Sequence, residues 1–246
     1  MPTASRSRSR TPAKRSSSRG KSLTPKKSTS KSSKSNKSTS GGWKSRRGWM
    51  SRPTPGFPRG LYPTIAISDS FNVAGHLIAA FLVKEVSPFA SMGFFTVAIA
   101  GAFGVARFGF NEDLFADTNG ALADYAAFVG LPCVGYELAS LGRYVDNWLF
   151  ASIFTLLEIC TRPLGENVRN GVFKPLINIF LFVGPCILSK NVLAQIGIAV
   201  FVVGAVVIGP DREKYKAGVR CENWFHYAIG VAAVLIGRGA VEVLQK

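Results

Sequence analysis

Asp69, Asn72 and His76 are the residues whose types and spacing come nearest to a chemical device in this chain. At 3.6 residues per turn, positions 69 and 76 differ by about 20° and position 72 lies about 60° away, so a helix carries all three on one face. His76 falls near the middle of an apolar run. Ionisable groups inside a membrane helix cost enough free energy to be functional candidates by default. A carboxylate and an imidazole on one interior stripe could pass protons or bind a cation. The structural alternative puts Asp69 in the headgroup region as a helix-start residue and leaves His76 hydrogen-bonded to a neighbouring helix.

Three further acids fall in apolar surroundings. Asp124 and Glu137 stand near opposite ends of one run, where interfacial positions account for them. Glu158 lies four residues before Arg162, and Arg238 four before Glu242, the spacing at which opposite charges meet on a helix. Structural ion pairs explain these acids, and a small transporter or channel using Asp69, His76 and Asp124 or Glu158 is the rival. Catalysis has no support. The two histidines, His76 and His226, are too few for a three-His metal site. The sequence contains no Gly-x-Ser-x-Gly, no phosphate-binding glycine loop and no His-Glu-x-x-His. No enzyme activity, cofactor or metal is expected.

The elements that must position these residues are apolar runs. A helix needs about 20 predominantly apolar residues to cross the hydrocarbon core. Candidates run approximately 65–83, 88–106, 120–141, 147–161, 172–189, 191–208 and 224–244. The reading is an all-α, polytopic helix bundle with seven spans, six being the alternative. Pro132 and Pro185 fall inside runs, which kinks spanning helices without forbidding them. Small residues recur at helical spacing at Ala98, Ala102 and Ala106 and at Ala233 and Gly237, as close helix packing in lipid requires. Cys133, Cys160, Cys186 and Cys221 form no CxxC pair and read as reduced thiols, with Cys221 also a juxtamembrane candidate for palmitoylation.

Charge divides the chain in two. Residues 1–60 hold 17 lysines and arginines and no acid, whereas residues 61–246 hold 13 basic and 14 acidic side chains. Residues 1–60 therefore read as a disordered polybasic tail and linker, too poor in apolar surface to fold, and 61–246 as the membrane domain. With seven spans and the tail cytosolic, the loops on the tail side hold eight basic residues and the opposite side four. That bias follows the positive-inside rule. Trp43 and Trp49, among Lys44, Arg46 and Arg47, suit the membrane interface.

Within the tail, Ser5-Arg6-Ser7-Arg8-Ser9-Arg10 is a run of serine–arginine dipeptides, and Thr11-Pro12-Ala13-Lys14 and Thr24-Pro25-Lys26-Lys27 place a basic residue after Thr-Pro. The run resembles the nucleoplasmic arm of the lamin B receptor family, inner nuclear membrane proteins with a multi-pass body. The Thr-Pro-Lys-Lys element is similar to linker-histone tail repeats that lie along the DNA minor groove, and Thr-Pro-x-Lys resembles sites of cell-cycle kinases. The resemblance covers about 40 residues of the tail; the membrane half has none of the sterol-reductase pattern of that receptor.

The resemblance implies chromatin contact through Arg6, Arg8, Arg10, Lys14, Arg15, Lys26 and Lys27, with Thr11 and Thr24 as phosphorylation sites. Physical chemistry reaches the same group of partners. Flexible basic residues displace counterions from DNA without reading sequence and attract anionic lipid, so residues 1–52 can hold chromatin, DNA, membrane lipids or an acidic protein. Each added phosphate brings about −1.5 to −2 charges and would weaken such contacts. The expected location is the endoplasmic reticulum or inner nuclear membrane, with the N-terminus cytosolic or nucleoplasmic. Import into a mitochondrion or plastid is less favoured, because the tail lacks the apolar periodicity of a transit helix. The expected role is a structural or adaptor one: a membrane body that fixes a polyanion-binding arm.

Overall fold

Prolines and side-chain caps decide where the helices begin. The computed structural model describes residues 61–211 and 214–245, and seven helices account for most of them. Helix α1 (Pro63–Val83) starts on a proline, whose missing amide is harmless in a first turn. Helix α2 (Pro88–Gly109) adds a cap, the Ser87 hydroxyl accepting from the Ala90 amide at 3.0 Å. Asn111 caps α3 (112–138), with Glu112 and Asp113 in its first turn, where negative charge suits the helix dipole. Asp146 accepts from the amides of Trp148 and Leu149 to open α4 (Asn147–Thr161). Helix α5 (Glu166–Leu188) is followed by α6 (Val192–Ile208), capped by Asn191, and by α7 (Cys221–Leu244). A hairpin pairing Tyr215 with Arg220 and Lys216 with Val219 joins α6 to α7.

Four of these, α1, α2, α5 and α7, are long and apolar enough to cross a membrane. Each of the seven apolar runs overlaps one helix, those at 120–141, 172–189 and 191–208 overrunning it by one to three residues. The largest difference from expectation is at α3, which begins at Glu112 rather than near 120 because Asn111 and the acids after it start the helix before the apolar stretch does. Asp124 therefore lies well inside α3, not at its end.

Four wide π turns interrupt the helices, at 126–130, 169–173, 179–183 and 203–208. Each ends two residues before a proline: Pro132, Pro175, Pro185 and Pro210. A proline in a regular helix clashes with the carbonyl four residues earlier and brings no amide to it. The wider turn gives that carbonyl room, so α3 and α5 run on through their prolines. The turn before Pro132 is further served from outside, Asn178 donating through Nδ2 to the Ala127 carbonyl at 3.1 Å.

Contacts fix the direction of each helix. The Tyr62 amide donates to the Phe108 carbonyl at 2.8 Å and the Ser91 hydroxyl to the Ala80 carbonyl at 3.0 Å, so α1 and α2 run antiparallel. Asn119 donates to the Ala100 carbonyl while Gly93 lies against Gly130, which sets α3 antiparallel to α2. Tyr125 meets Thr155 and Tyr136 meets Phe150, reversing the chain again at α4. Lys174 meets Asp124 and Leu181 lies against Gly135, so α5 is parallel to α3. Asn191 meets Glu242 and Gly204 lies against Ala228, so α6 and α7 are antiparallel. Finally, Asp69 meets His226, Gly75 lies on Gly230 and Gly237 on Ala79, making α1 and α7 parallel neighbours.

The core is built of small residues and a few aromatics. One cluster joins α1, α2, α3, α5, α6 and α7 around Ala79, Phe94, Val134, Phe182, Ile198 and Ile236. A second joins α2, α3, α4 and α5 around Phe89, Phe128, Tyr136 and Phe150. Large apolar side chains such as Ile67, Phe81, Phe180 and Val206 stay exposed, an arrangement suited to a lipid surround. The small residues that bring α2 close to α1 are Gly101 and Gly104; of the Ala98, Ala102 and Ala106 stripe, Ala98 is buried but Ala102 faces out. Ala233 and Gly237 are both buried. Cys221 is fully buried, which removes it as an acylation site in this packing.

A side chain at Gly75 would run into the Gly230 backbone, whereas Gly171 faces open space. Gly75→Leu should therefore cost about 3 kcal/mol, the upper range for overpacking, or prevent folding. Gly171→Ala should be neutral or stabilising by up to about 1 kcal/mol. Thermal melting of the two variants in detergent checks the pair.

Candidate functional site

Two polar constellations lie inside the body, both toward the end at which α1 begins. The first occupies the α1–α7 contact. Ser68, Asp69, Asn72 and His76 are all buried, so the face drawn from helical spacing does point inward. Asp69, however, does not meet His76. Its Oδ1 lies 3.1 Å from Nδ1 of His226 on α7, and the Ser68 hydroxyl lies 3.2 Å from the same nitrogen. His76 instead places Nδ1 3.0 Å from the Asn72 carbonyl of its own helix and its ring 6.1 Å from that of Phe94. The separation has a helical cause: seven residues along one face put His76 two turns, about 10 Å, farther along the axis than Asp69.

A serine, a histidine and an aspartate in contact invite comparison with a nucleophilic triad, and the geometry fails it. A triad needs the serine on one ring nitrogen and the carboxylate on the other. Here both approach Nδ1, and the Ser68 hydroxyl also donates to the Ile65 carbonyl at 2.8 Å. What the group can do is hold a proton between carboxylate and imidazole while tying α1 to α7. Gly104 of α2 makes room for it, since a Cβ there would lie 2.5 Å from Asp69 Oδ2. The Asn72 Oδ1 atom is buried with no hydrogen-bond partner among the described residues.

The second constellation is a charge cluster across α3, α4 and α5. Glu158 is 1% exposed and accepts from two arginines. Arg169 approaches its Oε1 at 2.5 Å, and Arg162 reaches its Oε2 at 3.0 Å. Arg169 also binds Asp124 at 2.7 Å and lies 5.4 Å from the centre of the Phe128 ring, while Lys174 holds the other Asp124 oxygen at 2.5 Å. The helical pair of Glu158 with Arg162 is thus present, as is that of Arg238 with Glu242 at 3.6 Å. The dominant partner of Glu158, Arg169, comes from another helix and carried no local signal. Nor did His226, Lys174 or Asn178, whose roles depend on which helices meet. The tail candidates Arg6, Arg8, Arg10, Lys14, Arg15, Lys26 and Lys27, with Thr11 and Thr24, lie outside the described residues.

Beside this cluster, α2, α3 and α4 enclose an open groove of about 570 Å³, lined by apolar side chains and the hydroxyls of Thr96, Tyr125, Ser152 and Thr155. A shallower groove between α1 and α7, lined by Phe71, Gly75, Ile78 and Gly230, is apolar throughout. Neither is lined by Asp69 or His226.

No family model, curated protein or solved structure matches this chain.

Breaking one partner of a buried ion pair strands a charge and costs about 3–5 kcal/mol, whereas exposed pairs contribute up to about 1 kcal/mol. Glu158→Gln, which removes the buried carboxylate and leaves the largely covered Arg169 underpaired, should therefore destabilise the body by several kcal/mol. Arg162→Gln, at a side chain 54% exposed, should shift it by less than about 1 kcal/mol. Melting of the two variants in lipid nanodiscs would contradict this assignment if their order were reversed.

Proposed function

We propose that this chain is a seven-pass membrane anchor whose basic N-terminal arm holds chromatin or another polyanion against the endoplasmic reticulum or inner nuclear membrane. The observation that carries it is the charge partition, 17 basic residues and no acid before residue 61 against a body of net −1. Counterion release gives such an arm affinity for nucleic acid, and surface potential gives it affinity for anionic lipid. Seven passes are supported by the alternating helix directions. Parallel α1 and α7, the first and last helices, need an even number of reversals between them and hence an odd number of spans. The loop charges favour the arm on the cytosolic or nucleoplasmic side. Phosphorylation of Thr11 and Thr24 would then loosen the grip.

The test is imaging of the intact chain and a chain lacking residues 1–42, each with a C-terminal tag preceded by a glycosylation acceptor. Anchoring predicts a nuclear-rim signal, slow to recover from photobleaching, that spreads through the reticulum and becomes mobile on deletion. Seven passes predict a glycosylated tag. Unchanged location and mobility would overturn the anchor, and an unmodified tag the topology.

A second reading has one specific observation behind it. Asp69 and His226 form a buried carboxylate–imidazole pair beside the unpartnered Asn72 oxygen, a setting suited to a proton or cation carrier. In that case, purified protein in liposomes loaded with a pH dye should move protons, and Asp69→Asn or His226→Gln should stop it while deletion of residues 1–42 leaves it intact. No flux above empty liposomes removes proton carriage.

A further inference from the structure

The groove between α2, α3 and α4 runs toward the Tyr62 end of the bundle, and its lining changes along the way. At the far end stand Trp148, Met92 and Cys133; at the near end the Tyr125 hydroxyl meets that of Thr155 at 3.4 Å. Arg162, the helical C-cap of α4, follows Thr155 by seven residues, about 20° around the helix axis and about 10 Å farther along it. It does not line the groove but stands beyond its near end, so the order of chemistry along this face is apolar, hydroxyl, cation.

The cation is not balanced by its neighbours. Asp124 and Glu158 supply two negative charges to three positive ones, Arg162, Arg169 and Lys174, and the single Glu158 carboxylate serves both arginines. The Arg169 side chain is 11% exposed, whereas that of Arg162 is 54% exposed. Glu166, the first residue of α5, is exposed and enters no ion pair among the described residues. The volume of about 570 Å³ is within the range of about 300–1,000 Å³ that holds small apolar ligands. An apolar slot with hydroxyls at one end, and an undercompensated guanidinium about two helical turns beyond them, matches an acyl chain joined to a phosphate.

We propose that this groove binds an anionic phospholipid from the leaflet on the Tyr62 side, one acyl chain lying along α4 from Thr155 toward Trp148 and the phosphate at Arg162. The proposal rests on the membrane-spanning reading above. It goes beyond that reading by giving the body its own lipid preference, independent of the basic arm. If the arm is cytosolic, the site opens to the leaflet that carries the anionic lipids of a cell membrane.

Trp148 reports on the site directly. The chain has four tryptophans, so Trp43→Phe, Trp49→Phe and Trp224→Phe in the full-length protein leave Trp148 as the lone indole. In nanodiscs made with brominated phosphatidylserine or brominated phosphatidylcholine at equal bromine content, the serine lipid should quench Trp148 with about fivefold higher apparent affinity, equivalent to about 1 kcal/mol for one basic residue at the surface. Arg162→Gln should lower the preference about fivefold, to the level that deletion of residues 1–42 shows to come from the arm, and Arg162→Lys should keep most of it. The preference should survive millimolar inorganic phosphate. Equal quenching by both lipids, a preference undiminished in Arg162→Gln, or one erased by free phosphate would each overturn the lipid site. No quenching by either lipid would overturn the membrane reading as well.

Discussion

The parallel contact between the first and last helices is the constraint on which the rest of the body depends. Gly75 and Gly230 let the two backbones touch, Gly237 seats on Ala79 one step farther on, and Asp69 meets His226 at the near end. In lipid, hydrophobic burial gives little drive to helix association, so close packing and buried polar contacts must supply it. A glycine-on-glycine crossing provides the first and a carboxylate–imidazole pair the second. Once α1 and α7 are joined side by side, every helix between them must fit a ring of neighbours already closed at its ends.

The other half of the body meets that demand through its prolines. A proline in a transmembrane helix leaves a carbonyl without its usual donor, and hydrocarbon offers no water to replace it. Here the wide turns give those carbonyls room, and the neighbouring helix responds: Asn178 serves Ala127, and Gly135 leaves space for the Leu181 carbonyl. The same stretch of α3 and α5 carries Asp124 and Arg169, which join Glu158 of α4 in the charge cluster, so the least regular backbone and the densest charge coincide. Wide turns of this kind recur at functional sites because they shift side chains off the regular helical register. In this body they bring Arg169 between two acids from two other helices.

Much of this architecture is legible in the sequence. Apolar length gives the seven helical segments, and the caps at Ser87, Asp146 and Asn191 can be read as polar residues that precede apolar runs. The inward face of Asp69, Asn72 and His76 follows from the helical period, as do the pairs of Glu158 with Arg162 and Arg238 with Glu242. These are properties of a single helix, fixed within two turns of chain. The start of α3 lies outside the apolar run because hydropathy marks where a helix is apolar and capping marks where it begins.

The sequence by itself determined the division into a basic arm and an apolar body, the helices of that body and the polar face of the first. These follow from composition and from spacings of three, four and seven residues. Tertiary structure alone decided that Asp69 would meet His226 rather than His76, that Arg169 would bridge Glu158 and Asp124, and that Asn178 would serve the turn before Pro132. Those partners lie between 11 and 157 residues apart in the chain. No local spacing encodes such a pair; it exists only after the glycines have chosen which helices touch.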